Sequence, residues 1–161
     1  MMHKKGEIQL FHPMSLIIPF LILLPNLMFF RFQPRNGPNQ GEEKGNPILS
    51  AAEGVGRIGV FIIPIFSSIH IENSYEVISL IGMFLSLSLY YLGWIRYFRR
   101  GREFSLLFAP MIGIPVPLAI NPVLYFLFAS VVLHSAYLLI CGVILAIGHI
   151  PGSLNSYKKD V

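Results

Sequence analysis

The chain has 161 residues, of which 54% are hydrophobic and only 12% charged. A soluble domain carries roughly a quarter charged residues, so half of the usual polar coat is missing and a water-soluble globule is excluded. A net charge of +4 and a pI near 9.4 would suit nucleic acid, but the basic residues flank long apolar blocks, which points to membrane topology and not to a nucleic-acid partner.

Mean hydropathy is +0.64, and the apolar blocks have the length of membrane spans. A helix of about 20 residues crosses a hydrocarbon core of about 30 Å. The alternating segments of a membrane barrel are missing from the sequence. The expected fold is therefore an all-α integral membrane protein, a single polytopic domain over 1–161 with about five transmembrane helices. A lone cysteine, Cys141, rules out an internal disulfide and a cysteine-based metal cluster.

The N-terminal MMHKKGEIQLFHP has the basic character of a secretory leader. The apolar block behind it lacks a small-x-small cleavage site and ends in Phe29, Phe30, Arg31 and Phe32, so the first span, 14–32, reads as retained. Pro19 and Pro25 interrupt it, which is tolerable where neighbouring helices satisfy the freed carbonyls. Residues 33–49, rich in Pro, Gly and Asn, offer no apolar face and read as a mobile loop.

The second span, 53–71, opens on Ser50 and Glu53, spaced as a capping box. Glu53 and Arg57 lie four apart and read as a structural ion pair. Gly54, Gly56 and Gly59 spell GxGxxG, but a dinucleotide site needs a preceding strand, and these glycines head an apolar helix. Close helix contact is the better account. The third span, 74–98, starts on a second capping box, Asn73 and Glu76. Ser79, Gly82, Ser86 and Gly93 form a small-residue stripe for helix packing. Tyr90, Tyr91, Trp94 and Tyr97 make an interfacial aromatic belt.

Arg96, Arg99, Arg100 and Arg102 follow. Their ordinary role is orientation, and their candidate role is to hold an anionic headgroup. The fourth span, 104–120, contains Pro110, Gly113, Pro115 and Pro117, so it is a Pro/Gly-broken crossing or a re-entrant segment. The fifth, 122–147, takes Asn121 as N-cap and Pro122 at its first position. Ser130, His134, Tyr137 and Cys141 then fall on one helical face, with His134 near mid-span, where a polar side chain must find a partner or water.

Five spans place Arg31, Arg35, Lys44, Arg57, Arg96, Arg99, Arg100, Arg102, Lys158 and Lys159 on one side, against Lys4 and Lys5 on the other. The positive-inside rule makes this a multi-pass protein of the cell membrane with the N-terminus outside and the C-terminus cytoplasmic.

Catalytic motifs such as HExxH and GxSxG do not occur in the sequence. His3, His12, His70 and His149 fall near ends or loops on differing faces, so neither a metal nor a cofactor is expected. The favoured function is a homo-oligomeric transporter or channel for a small solute or ion. Its path would use Ser130, His134, Tyr137 and Cys141 with the unwound region at Gly113 and Asn121. The alternative is a non-catalytic accessory or assembly subunit of a larger membrane complex. A membrane enzyme acting on a lipid or peptide is third. The expected partners are the lipid bilayer and either further copies or a larger membrane protein.

Overall fold

A computed structural model describes residues 11–36 and 46–160. Residues 37–45 of the expected mobile loop lie outside that range, as do His3, Lys4, Lys5 and Lys44. The described residues form α1 (Ile17–Arg31), α2 (Pro47–Ile62), α3 (Ser74–Arg99), α4 (Pro117–Val132) and α5 (Ala136–Asp160). Short 3-10 turns precede α1 at Pro13–Leu16, extend α2 at Ile63–Phe66 and follow α3 at Phe104–Leu107. Among the described residues there are no strands, apart from an isolated bridge between Met111 and Ile114.

Four helical segments are long and apolar enough to cross a membrane: Pro13–Arg31, Pro47–Phe66, Ser74–Arg99 and Ala136–Lys158. Their outer faces carry Phe20, Phe30, Ile58, Ile78, Phe84 and Ile140, each more than half exposed. So large an apolar exterior is stable against hydrocarbon and not against water.

α4 is the inner helix. Its 16 residues span about 24 Å, less than a hydrocarbon core. It buries Ala119, Asn121, Val123, Tyr125, Phe126, Ala129, Ser130 and Val132 between α3 and α5. On α3, small residues let α4 approach: a Cβ on Gly82 would meet the Phe128 ring at 2.7 Å, and one on Gly93 would meet Leu118 at 2.7 Å. Ser79 and Ser86 are buried on the same helix.

α2 packs on α5, closer still. A Cβ on Gly56 would lie 2.5 Å from the Leu145 backbone nitrogen, one on Gly59 2.3 Å from Cys141 Sγ, and one on Gly148 2.4 Å from the Glu53 nitrogen. The GxGxxG glycines thus divide, since Gly54 has open space around it.

α1 is attached through tyrosine hydroxyls. Pro25 lacks an N–H, which leaves the Leu21 carbonyl without its helical donor. Tyr91 Oη donates to that carbonyl at 2.8 Å, and Tyr125 Oη donates to Ile18 O at 3.2 Å. Two members of the expected aromatic belt, Tyr90 and Tyr91, therefore turn toward α1; Tyr90 is 2% exposed and reaches Ile22 O.

Helix boundaries differ from the sequence expectation most at three places, beside an earlier end of the second helical segment at Phe66 and a longer last helix to Asp160. α2 begins at Pro47, with Asn46 as N-cap accepting from Ile48 N at 2.9 Å. Proline at the first position with asparagine before it outcompetes the Ser50 capping box, and Glu53 is released for other partners. The expected span 104–120 is a 3-10 turn and a loop. Pro110 and Pro115 remove donors, and the chain reverses at Ile112 and Gly113, both at positive φ, between paired Met111 and Ile114 backbones. α4 then starts at Pro117, so Asn121 lies inside the helix and is not its cap.

The third difference divides the expected span 122–147. α4 stops at Val132: Ser135 N–H donates to Ser130 O at 2.9 Å and His134 N–H to Val131 O at 3.1 Å, with His134 left-handed at φ 47. This is the helix stop that glycine usually makes. Ser135 Oγ accepts from Leu138 N at 3.2 Å and caps the start of α5.

The bundle therefore has two chemically distinct ends. At one, Ser15 Oγ donates to Ser67 O, and His70 N–H donates to Val132 O at 2.9 Å. The residues there include His12, His70, Glu72, Glu76 and His134. At the other, Tyr97 Oη donates to Phe32 O at 3.1 Å, and Arg35 N–H donates to Arg102 O at 3.2 Å. The arginines of the described residues gather toward this second end, the arginine end.

Candidate functional site

The polar residue that the fold buries most completely at the first end is Glu76, 0% exposed in the first turn of α3. Its position follows from the Asn73 capping box. Oε2 accepts from the Asn73 backbone N–H at 2.7 Å and from the Glu72 backbone N–H. Oε1 accepts from Asn73 Nδ2 at 3.3 Å and lies 2.5 Å from His134 Nε2. Every neighbour of this carboxylate is a donor, which assigns the proton of the pair to His134 Nε2.

His134 reaches Glu76 because of the elbow between α4 and α5. It does not sit mid-span. Its left-handed backbone turns the ring back across the end of α4, and the side chain stays 43% exposed. His70 stacks on it, ring centroids 4.9 Å apart and planes within 16°. Tyr75 lies beyond His134 at 6.4 Å and 22°. His70 Nδ1 donates to Ser68 O at 3.1 Å.

Glu76 and a backbone carbonyl thus fix both ring orientations, and in the neutral rings the lone pairs fall on His134 Nδ1 and His70 Nε2. Parallel rings direct these lone pairs side by side and not onto one point. Among the described residues no group of three or more His, Cys, Asp or Glu is placed to hold a metal ion. Ser68 Oγ lies 3.4–3.5 Å from both nitrogens of His70, side-on to the ring and not in line as an activated nucleophile would be. The arrangement clasps the start of α3 to the α4–α5 elbow.

A second glutamate–histidine clasp closes α2 onto α5. Glu53 Oε1 accepts from Arg57 Nε at 3.0 Å and lies 3.0 Å from His149 Nδ1. The Glu53–Arg57 ion pair therefore has a third member that spacing along α2 cannot reveal.

The expected path residues do not converge. Ser130 is buried on α4 and donates to Leu127 O at 2.7 Å. Tyr137 is on α5 and 76% exposed, and Cys141 packs on Gly59. The elbow separates Ser130 from both, so the four residues no longer share one helix. Gly113 sits at the exposed tip of the loop turn at φ 75. Asn121 is fully buried, and neither atom of its amide has a hydrogen-bond partner.

The arginine run also divides. Arg96 turns inward and donates to Pro110 O at 2.8 Å, Leu106 O at 3.1 Å and Ala109 O at 2.7 Å, fastening the loop that leads to α4. Arg99 and Arg100 are exposed, and Arg102 joins Arg35 and Phe32.

His70, His149 and the second role of Glu76 were not visible as sites in the sequence, because their partners are 58 to 96 residues away for Glu76 and Glu53. One signal was present: Ser135 one residue after a histidine is a usable N-cap inside an apolar run. No protein-family model matches this chain, and no curated protein or solved structure matches it.

Proposed function

We propose that the protein is a non-catalytic membrane subunit that binds a larger membrane protein through the outer face of α1 and α2. The observation that carries this reading is a groove of about 480 Å³ lined by Leu16, Ile17, Pro19, Phe20, Leu23 and Phe61. It is open, apolar and large enough to receive several side chains of a foreign helix. The glutamate–histidine clasps, the Arg96 anchor and the tyrosine hydroxyls are consumed in closing the bundle, so recognition falls to shape on this face. The positive-inside rule sets the arginine end in the cytoplasm and the Glu76 end outside, in the cell membrane, with the C-terminus inside.

A photoreactive benzoylphenylalanine at Phe20 tests it, with the same probe at Phe84, 69% exposed on α3, as control. One discrete adduct with a second protein at Phe20 and none at Phe84 is expected, and a probe on that partner should crosslink back to the groove. Lipid adducts alone at both positions, or self-adducts at Phe20, would overturn the reading.

Asn121 favours a second reading, a transporter or channel formed by several copies. A buried amide without partners is costly, and passing water or solute would satisfy it. Wild-type protein in vesicles should then conduct protons into an entrapped pH dye, and Asn121→Leu should stop it. Equal proton leak from both removes Asn121 from any path.

A further inference from the structure

We infer that the arginine end carries a headgroup site for an anionic phospholipid, built by Arg31 and Arg102 around Phe32 and braced by the Arg35 backbone. The site is held by backbone and ring contacts and not by charge alone. α1 ends at Arg31, and Phe32 O accepts from Tyr97 Oη at 3.1 Å. Arg102 N–H donates to Tyr97 O at 3.1 Å, and Arg35 N–H donates to Arg102 O at 3.2 Å. Phe32 packs edge-on against Phe98, ring centroids 6.2 Å apart. The end of α1 is thereby laced to the turn after α3, and the two guanidinium groups are gathered on one ring. Arg31 Cζ lies 5.9 Å from the Phe32 centroid and Arg102 Cζ 5.7 Å from the same point.

Among the described residues the ion-paired carboxylates are Glu53 and Glu76, and neither pairs with Arg31, Arg35 or Arg102. Orientation by the positive-inside rule needs basic residues on one side but no convergence. Like charges gathered on one ring repel each other, and an anion bound beside them lowers that cost. Arg102 also holds a left-handed backbone at φ 59, a conformation unfavourable for a side-chain-bearing residue.

The occupant's chemistry follows from the position. Guanidinium groups match phosphate oxygens through paired donors. The cluster lies where α1 leaves its apolar segment, directly beyond Phe30 and Leu27, which are 73% and 50% exposed. A phosphate bound among the arginines can run its acyl chains down that face. A free phosphate would use the arginines but gain nothing from Leu27 and Phe30.

Native mass spectrometry of the detergent-purified chain, titrated with phosphatidylglycerol or phosphatidylcholine, tests the site. The expected result is retention of phosphatidylglycerol over phosphatidylcholine, reduced about tenfold or more in Arg31→Gln/Arg102→Gln and unchanged in Lys158→Gln. If the glutamine pair fails to fold, Arg31→Lys/Arg102→Lys keeps the charge, and the expected result is weakened retention because the planar fork is lost. Equal retention of the two lipids, an equal loss in Lys158→Gln, or unchanged retention in the lysine pair would overturn the site. Full displacement by millimolar inorganic phosphate would overturn the lipid in favour of a free anion.

Discussion

Replacing Gly56 with alanine probes the α2–α5 contact, and Gly54, two residues earlier on the same helix, supplies the control. A Cβ at Gly56 would lie 2.5 Å from Leu145 N and 2.6 Å from Leu145 Cα. Non-bonded heavy atoms settle near 3.5–4.0 Å, so the two helices would have to part by about 1 Å. The obstacle is backbone and cannot rotate away. Overpacking of this kind costs about 1–3 kcal/mol. Alanine recovers about 1 kcal/mol of helix propensity, so at the upper end of that cost, which a rigid obstacle imposes, Gly56→Ala should destabilise by about 2 kcal/mol. Gly54 has nothing within 4 Å of its would-be Cβ, so Gly54→Ala should keep the propensity gain and stabilise by about 0.5–1 kcal/mol.

The readout is built into the chain. Cys141 is the lone cysteine and packs on Gly59, so a thiol-reactive fluorogenic dye in detergent reports its release on heating. The midpoint should fall by about 4–8 °C for Gly56→Ala and rise by about 1–4 °C for Gly54→Ala. Equal midpoints, or loss in both variants, would refute the account of α2 and α5 as glycine-mediated neighbours.

His134 occupies a left-handed position where glycine is unstrained, so His134→Gly should exceed His134→Ala in stability by about 1 kcal/mol although both lose the bond to Glu76; equal melting of the two would place the residue outside that conformation. Tyr91→Phe leaves the Leu21 carbonyl without a donor in hydrocarbon and should cost about 1–2 kcal/mol. Adding Pro25→Ala restores a backbone donor, so the double variant should recover most of the loss; strict additivity in the thermal midpoints would break the link between this proline and this tyrosine.

The three earlier helices were readable because each signal is local. Apolar blocks of membrane length, a capping box at Asn73 and Glu76, and small residues at helical spacing on α3 act within one turn or two. The Pro/Gly-rich stretch 104–120 announced an interruption, but not that α4 would begin inside it, since Pro117 and Pro122 both offer a first-turn proline. The elbow at His134 was hidden because the run from Val123 to Cys141 lacks the glycine or proline that normally ends a helix. Tertiary contact decides there: Glu76 holds the histidine ring and the backbone follows. The clasps were illegible for the same reason, since a pairing between Glu53 and His149 has no period to detect. Arg35 and Arg102 join through backbone atoms, which no side-chain pattern records.

The pairing of α2 with α5 sets an order of events during synthesis. Glu53 and His149 are 96 residues apart, so α2 enters the bilayer long before its partner has left the ribosome. During that interval the glycine face of α2 and the Glu53 carboxylate, with Arg57 beside it, have neither helix nor histidine to cover them. A nascent chain paused ahead of α5 is therefore the species a membrane insertase or quality-control protease would meet: α3 and α4 can already pack on each other, while α2 waits for the last helix.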